Sequence, residues 1–264
     1  MNILTIETTG AEASVAVIND KSEVFMETSD QKMSHLQNLM PMVDILLKKR
    51  GLSIDDMDYI AVSEGPGSFT GIRIGVSSAR ALAQALGIRT IGVPTLKSFL
   101  YHVPGYHGIV CPILDARRNQ VYGGAYRWTA DGQYEEVVPG AAWQLAELLE
   151  RLETEAGKLN PASADPDGSG SAGPTESGPV EITFFGDGVI SYKEQILNWH
   201  LDSSSNDNIR VLFAEEDVKF QKASSVARLA LELCRAGEIK SLYDLKPVYM
   251  RKAEAERKLE GKAD

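Results

Sequence analysis

The sequence predicts a duplicated mixed α/β fold of two subdomains, and three observations lead there. The element order βββαβαβα can be read twice along the chain, from strand-like runs rich in Ile, Leu and Val alternating with segments of helical spacing. The chain has 264 residues, 43% of them hydrophobic, which exceeds one average domain and suffices for two modest cores. A glycine-rich segment, Gly65 to Gly75, stands at a strand-to-helix junction of the first copy. The repeat is one of element order, not of residue identity.

In the first copy, residues 2 to 6 and 13 to 18 read as strands around the Thr8-Thr9-Gly10 turn, and Glu23 to Thr28 as a third. Helical spacing follows from Met33 to Lys49, where Pro41 is expected to kink or restart the helix. A strand at Tyr59 to Val62, a helix from about Thr70 to Leu86, a strand at 88 to 92 and a helix after Pro94 complete the set. The second copy has strands at Ile109 to Leu114, Gln120 to Trp128 and Tyr134 to Val138, then a helix from about Ala141 to Thr154. Next come a strand at Glu181 to Phe185, a helix around Ser191 to Trp199, a strand at Ile209 to Leu212 and a helix from Ser224 to Arg235. The domains are therefore placed at 1–103 and 104–236, with 237–264 as a C-terminal tail. The last helix is left open to packing back on the first domain. Residues 157 to 180, rich in Gly, Pro, Ser and Asp, read as a flexible insertion, and Ala253 to Asp264 as a charged end that frays.

A formal charge of −10 argues against unaided nucleic-acid binding, because affinity for phosphate backbones comes mainly from Lys and Arg. Any RNA contact is expected to need a partner. Cys111 and Cys234 lie far apart without CxxC spacing, so neither a disulfide framework nor a thiolate metal site is indicated. The start lacks a basic leader, and no apolar run approaches the roughly 20 residues that span a bilayer. A cytoplasmic protein without membrane contact is the expectation.

Gly65-Pro66-Gly67-Ser68-Phe69-Thr70-Gly71-Ile72-Arg73-Ile74-Gly75 is the most specific segment. It is not a Walker loop, and its G-x-G-x-x-x-G spacing misses the dinucleotide fingerprint by one residue. Gly65, Gly67 and Ser68 form either a tight turn capped by Ser68 or Thr70, or a helix start whose amides hold an anion. Along the helix, Gly71, Gly75, Ala79 and Ala83 recur every four residues and leave almost no side-chain bulk. The preceding helix offers Met33, Leu36, Met40, Val43 and Leu47. Either stripe packs on the sheet or meets another chain. Arg117 and Arg118 form a compact basic pair in an acidic chain.

The glycine loop resembles the signature shared by the TsaB family and its catalytic paralogue TsaD. So do Ile3-Leu4-Thr5-Ile6-Glu7-Thr8-Thr9, Ser34-His35, Leu114-Asp115-Ala116-Arg117-Arg118-Asn119-Gln120-Val121-Tyr122 and Pro247-Val248-Tyr249-Met250-Arg251, in the family's order over nearly the whole chain. Glu7 departs from an expected Asp, and the insertion at 157 to 180 lengthens this member. The resemblance implies a ribonuclease H-like, actin-like fold of the superfamily that unites acetate and sugar kinases, Hsp70 and actin. It further implies a non-catalytic subunit of the machinery that places threonylcarbamoyl groups on adenosine 37 of tRNA. TsaD would be its partner, TsaE an ATPase serving the complex, and tRNA would reach it through the complex. It implies a homodimer when the chain is alone, and interface roles for Met33, Leu36, Met40, Val43, Gly71, Gly75, Ala79 and Ala83. A large residue at Gly75 or Ala79 is then expected to weaken association more than folding.

TsaD-like proteins hold a metal through His at i and i+4, one helical face apart. Here His35 is followed by Leu39, and His102, His107 and His200 do not restore a pair. No catalytic residue, metal or cofactor is therefore expected on this chain, ATP and metal being left to the partner subunits. Glu7 and Glu12 flank the first hairpin and would repel triphosphate oxygens, while Arg117 and Arg118 fill the second, where small residues are expected. Gly186-Asp187-Gly188 is either an adenosine-contacting turn or a plain turn before a helix. Arg117 and Arg118 are candidates for tRNA phosphate, a partner's carboxylate or surface ion pairs. The alternative function is a nucleotide-dependent kinase or ATPase of the same fold. No Ser-His-Asp or Cys-His arrangement supports a peptidase.

Overall fold

Strand-forming runs of Ile, Val and Thr build the first sheet: β1 (Asn2–Glu7), β2 (Ser14–Asn19), β3 (Val24–Thr28), β4 (Tyr59–Gly65) and β5 (Arg89–Pro94). The computed structural model describes residues 1–29, 35–159, 178–202 and 208–251. The strand order is β3-β2-β1-β4-β5. The pairs β1/β2 and β2/β3 are antiparallel, and β1/β4 and β4/β5 are parallel. Period-2 alternation sends Leu4 and Ile6 to one face and Ile3, Thr5 and Glu7 to the other. Helices α1 (His35–Arg50) and α2 (Phe69–Leu86) cover the Leu4/Ile6 face, adding Leu39, Met42, Val43, Leu46, Leu47, Ile72, Val76, Ala79 and Ala83 to its core. Helix α3 (Thr95–Ser98) contacts β4 and β5, and helix α6 (Ala223–Arg235) contacts β1 and β2.

The second sheet repeats this plan with β6 (Ile109–Asp115), β7 (Gln120–Trp128), β8 (Tyr134–Gln144), β9 (Val180–Phe185) and β10 (Ile209–Phe213). Its order is β8-β7-β6-β9-β10, with β6/β7 and β7/β8 antiparallel and β6/β9 and β9/β10 parallel. Helices α4 (Leu145–Leu159) and α5 (Gly188–Asp202) supply Leu145, Leu148, Leu149, Leu152, Val189, Tyr192 and Ile196 to its core. This is the duplicated ribonuclease H-like α/β arrangement that the sequence predicts.

Four details differ from the sequence reading. The segment Ala141 to Gln144 is strand, because it continues the ladder opposite Gly123 to Gln120 of β7, and tertiary pairing overrides the helix preference of its alanines. The helix after Pro94 spans four residues and gives way to a 3-10 turn at Phe99–His102, where Val103-Pro104 cannot continue it. Helix α1 runs unbroken from His35 to Arg50 through Pro41. Residues 157 to 159 belong to α4 and Val180 to β9, so the insertion narrows by its ends, and residues 160–177 lie outside the described residues. Residues 253–264 also lie outside them.

The chain forms two compact units: Met1–His102 with the described residues from Gln221 onward, and Val103–Phe220. Helix α6, placed by sequence within 104–236, thus belongs to the first unit. Its Ala223, Val226, Ala227 and Ala230 are fully buried, as small side chains let a helix sit close on a sheet. The stretch placed in a tail at 237–264 is, in its described part, also built into that unit. Lys240 makes a two-way antiparallel bridge to Thr90, at 3.0 and 2.8 Å, which covers part of the free edge of β5.

Candidate functional site

In the first unit, the end of β1, the β4–α2 loop and the start of α2 are built around each other. Glu7 is wholly buried at the end of β1. One carboxylate oxygen accepts from Thr9 N and from Thr9 Oγ1 at 2.6 Å, and the other accepts from Ser63 Oγ of β4. The Gly10 amide donates to the same carboxylate. Burial pushes Glu7 above the ordinary 4.5 despite these lowering donors. The backbone donors that a β-hairpin turn offers an anion are therefore engaged by the chain's own carboxylate. Glu12, the other flanking acid, is exposed.

The β4–α2 loop closes on this hairpin. Ser68 N donates to Thr9 O at 2.9 Å, Ser68 Oγ caps α2 by accepting from Gly71 N at 3.2 Å, and Thr8 Oγ1 donates to Gly71 O at 2.8 Å. Gly67 adopts φ +153°, and a Cβ there would stand 2.6 Å from Thr9 Cβ. Gly65 adopts φ +120° beneath the Val248 carbonyl. The peptide Gly65–Pro66 is cis. Of the two readings open for Gly65, Gly67 and Ser68, these contacts build the capped turn.

The small-residue stripe faces inward. A Cβ at Gly71 would overlap the Thr8 carbonyl oxygen, and one at Gly75 would overlap Thr8 Oγ1 and crowd Val62. Ala79 and Ala83 are 0% exposed and Val43 is 5% exposed. The expectation that Gly71, Gly75, Ala79, Ala83 and Val43 form a partner surface is thus corrected: the stripe lets α2 lie against its own β1 hairpin and sheet. Of the proposed interface residues only Met40 is described as open, at 43% exposure; Met33 and the Leu36 side chain lie outside what is described. The outer face of α1 instead carries Gln37, Met40, Pro41, Asp44, Ile45 and Lys48. His35 begins α1, and Leu39, one turn on, is buried in the core.

Two features escaped the sequence reading. Glu64 pairs with Lys240 at 2.7 Å, and the pair needs Gly92, whose Cβ would overlap the Glu64 carboxylate. Phe69 and Tyr249 stack at 4.9 Å, with Arg73 over Phe69 at 4.0 Å and its Nε donating to Tyr249 Oη at 2.9 Å. Val248 N also donates to Glu64 O at 2.7 Å, so the C-terminal segment is fixed across the end of β4. Only the Pro247-to-Arg251 motif and a glycine inside β5 hinted at these contacts.

In the second unit, the β6–β7 turn carries Arg117 and Arg118, both exposed, and Gly186-Asp187-Gly188 leads into α5. A Cβ at Gly188 would come within 2.8 Å of Ile113 O, so the glycine allows α5 to start against β6. Asp187 accepts from Asp115 N at 3.1 Å; burial raises its carboxyl, and the Asp115 charge adds to this. No helix among the described residues is long and apolar enough to cross a membrane.

Replacing Glu7 with Gln tests the buried carboxyl. The amide oxygen can keep the Thr9 donors while Ser63 Oγ turns to accept from the amide nitrogen. A raised carboxyl favours the folded state below pH 4.5, and that contribution is lost as pH rises through its folded value. Chemical denaturation should therefore show Glu7→Gln gaining stability relative to the parent as pH rises from 4.5 to 8. Parallel pH profiles would contradict a Glu7 carboxyl raised by burial.

Comparison with known proteins places the chain in a family. Residues 27–259 match the family described as TsaD: tRNA N6-adenosine threonylcarbamoyltransferase. The chain is 36% identical over 152 residues to the tRNA threonylcarbamoyladenosine biosynthesis protein TsaB of Bacillus subtilis, covering 58% of this chain and 66% of that protein. It is 36% identical over 135 residues to TsaB of Escherichia coli, covering 50% and 58%. A crystal structure from Pseudomonas aeruginosa, of an uncharacterized protein with similarity to peptidase YEAZ, superposes with a TM-score of 0.68 at 24% identity, over 95% of this chain and 99% of that one. A second, YeaZ from the same organism, gives 0.65 at 22%, over 94% and 99%. These two show the fold alone, whereas the family match spans most of the length: the chain belongs to the TsaD family and resembles those of its members that carry the name TsaB.

Proposed function

We propose that the chain is a non-catalytic subunit of the tRNA N6-threonylcarbamoyladenosine machinery, which binds and stabilises a TsaD-type catalytic subunit. The observation that carries this reading is Glu7, whose carboxylate takes the Thr9 and Gly10 amides of the first hairpin. A nucleotide phosphate brought to those amides would have to displace the hydrogen bonds that Glu7 makes with them and would meet its buried carboxyl group. That counts against the kinase or ATPase alternative. The relatives' names supply the process, and ATP and metal are assigned to the partner subunits, TsaD and TsaE. Cytoplasmic residence, and a homodimer when the chain is alone, complete the reading.

The partner surface is placed on the outer face of α1, where Met40 and Ile45 are 43% and 46% exposed. Exposed apolar side chains of this kind fit a protein interface better than solvent. Introducing Asp at both positions should weaken co-elution with the TsaD-type partner by tenfold or more, on the order of 1.4 kcal/mol. Thermal stability of the chain alone should change little, since neither side chain is in the core. Unchanged association would move the interface elsewhere.

A further inference from the structure

The β6–β7 turn is built in an unusual way. Arg117, Arg118 and Asn119 take φ values of +63°, +56° and +57°, three consecutive non-glycine residues in the left-handed region. Glycine or Asn-Gly would reverse the chain there without that strain. The backbone is held from several sides. Asp115 Oδ1 accepts from Arg117 N at 2.7 Å and from the Tyr192 hydroxyl at 3.0 Å, while Ser191 Oγ donates to Asp115 Oδ2 at 3.3 Å. Asn119 donates its amide to the Tyr192 hydroxyl, and its carbonyl accepts from Leu145 N at 3.1 Å. Gln120 N donates to Arg117 O at 3.1 Å. Helix α5 thus clamps the turn through Tyr192, itself 5% exposed in the core. The side chains so positioned are two exposed arginines, on a chain whose formal charge is −10.

Strained backbone that its surroundings over-determine is retained where a side chain must be aimed. Guanidinium groups match phosphate oxygens through paired N–H donors, and a rigid turn removes part of the ordering cost of making such contacts. We propose that the Arg117–Arg118 turn is a preformed phosphate contact and that its ligand is the tRNA backbone, held within the complex with the TsaD-type subunit. This rests on the functional reading above for the identity of the RNA. Free nucleotide phosphate shares the chemistry and is separated from RNA by the test. Asp115, the carboxylate beside the arginines, already accepts three donors, which offsets its repulsion of an approaching phosphate.

The test titrates an unmodified tRNA transcript carrying adenosine 37 into the complex, over a range of salt, for the parent and for R117A/R118A. Two lost phosphate contacts should lower affinity roughly tenfold and reduce the salt slope by about 1.5. A second variant, R117G/R118G, should bind tRNA as poorly yet melt at or above the parent temperature, because glycine relieves the left-handed strain. That opposite movement of binding and stability would not come from a merely structural turn. Unchanged affinity and slope overturn the proposal. So does loss of partner association by folded variants, which would assign the arginines to a partner carboxylate, and so does an effect confined to ATP or inorganic phosphate. If the parent chain fails to bind the TsaD-type subunit, the functional reading falls. Titration of the chain alone at low salt then decides, and a slope shared by parent and R117A/R118A would overturn the phosphate contact.

Discussion

Gly71→Ala is expected to destabilise the first unit by about 3 kcal/mol, although it adds a single methyl group. The new Cβ would overlap the Thr8 carbonyl oxygen, a backbone atom in the hairpin that also carries Glu7. A flexible side chain can rotate away from such a contact, whereas a hairpin carbonyl cannot. Relief must come from moving α2 off β1, which also stretches the bond from Thr8 Oγ1 to Gly71 O, 2.8 Å in the parent. Ala81→Leu, on the exposed face of the same helix, should stay within about 0.5 kcal/mol of the parent. Denaturation should be followed by far-UV circular dichroism, because Trp128, Trp143 and Trp199 all lie in the second unit. If Gly71→Ala folded as stably as the parent but lost the partner, α2 would present its small stripe outward and the packing described above would be wrong.

Acid is expected to weaken the same unit through His102. Its half-buried ring stands 5.4 Å from the Phe99 ring, with Nε2 3.2 Å from Ser225 Oγ. Burial, and then the Lys222 charge, push it down to about 3 from the ordinary 6.5. A base depressed in the folded state lets the unfolded chain bind the proton first. Stability is therefore complete above pH 6.5 and falls as pH drops toward 3. At about 1.4 kcal/mol per pH unit, the loss between pH 6.5 and 5 is about 2 kcal/mol. Glu7 acts with the opposite sign over part of this range, so the informative quantity is the difference between parent and His102→Gln. That difference should shift by about 2 kcal/mol in favour of the variant from pH 7.5 to pH 5. Parallel profiles would mean that the ring is protonated, or open to water, in the folded protein.

Much of this fold could be read from residue pattern, because most elements have one dominant signal. Ile3-Leu4-Thr5-Ile6 is apolar enough to be a central strand, and Gly87, which adopts φ +67°, ends α2 where its helical spacing stops. The end of β8 is not legible locally because Ala-Ala-Trp-Gln has no strong local preference, and only its pairing with β7 decides it. The small stripe on α2 was legible as a close-packing surface. Its direction was not, since spacing along one helix does not say whether the Thr8 hairpin or another chain fills the groove. The Glu64–Lys240 pair joins residues 176 positions apart, and the clamp on Arg117 depends on Tyr192 of another helix. Neither leaves a local mark. Glu7 was visible as a departure from the family pattern, but its meaning came from the hairpin amides that converge on it.

In the role proposed for it, this chain supports the chemistry of another subunit without performing it. The most direct measurement of that role is the threonylcarbamoyladenosine formed per tRNA by a purified TsaD-type partner, with its ATPase subunit and the threonylcarbamoyl donor, in the presence and absence of this chain. The account predicts modification that rises to saturation at equimolar chain, none from the chain without the partner, and no loss of activity when Glu7 is replaced by Gln. Modification at full rate without the chain, or ATP turnover by the chain alone that Glu7→Gln alters, would contradict it.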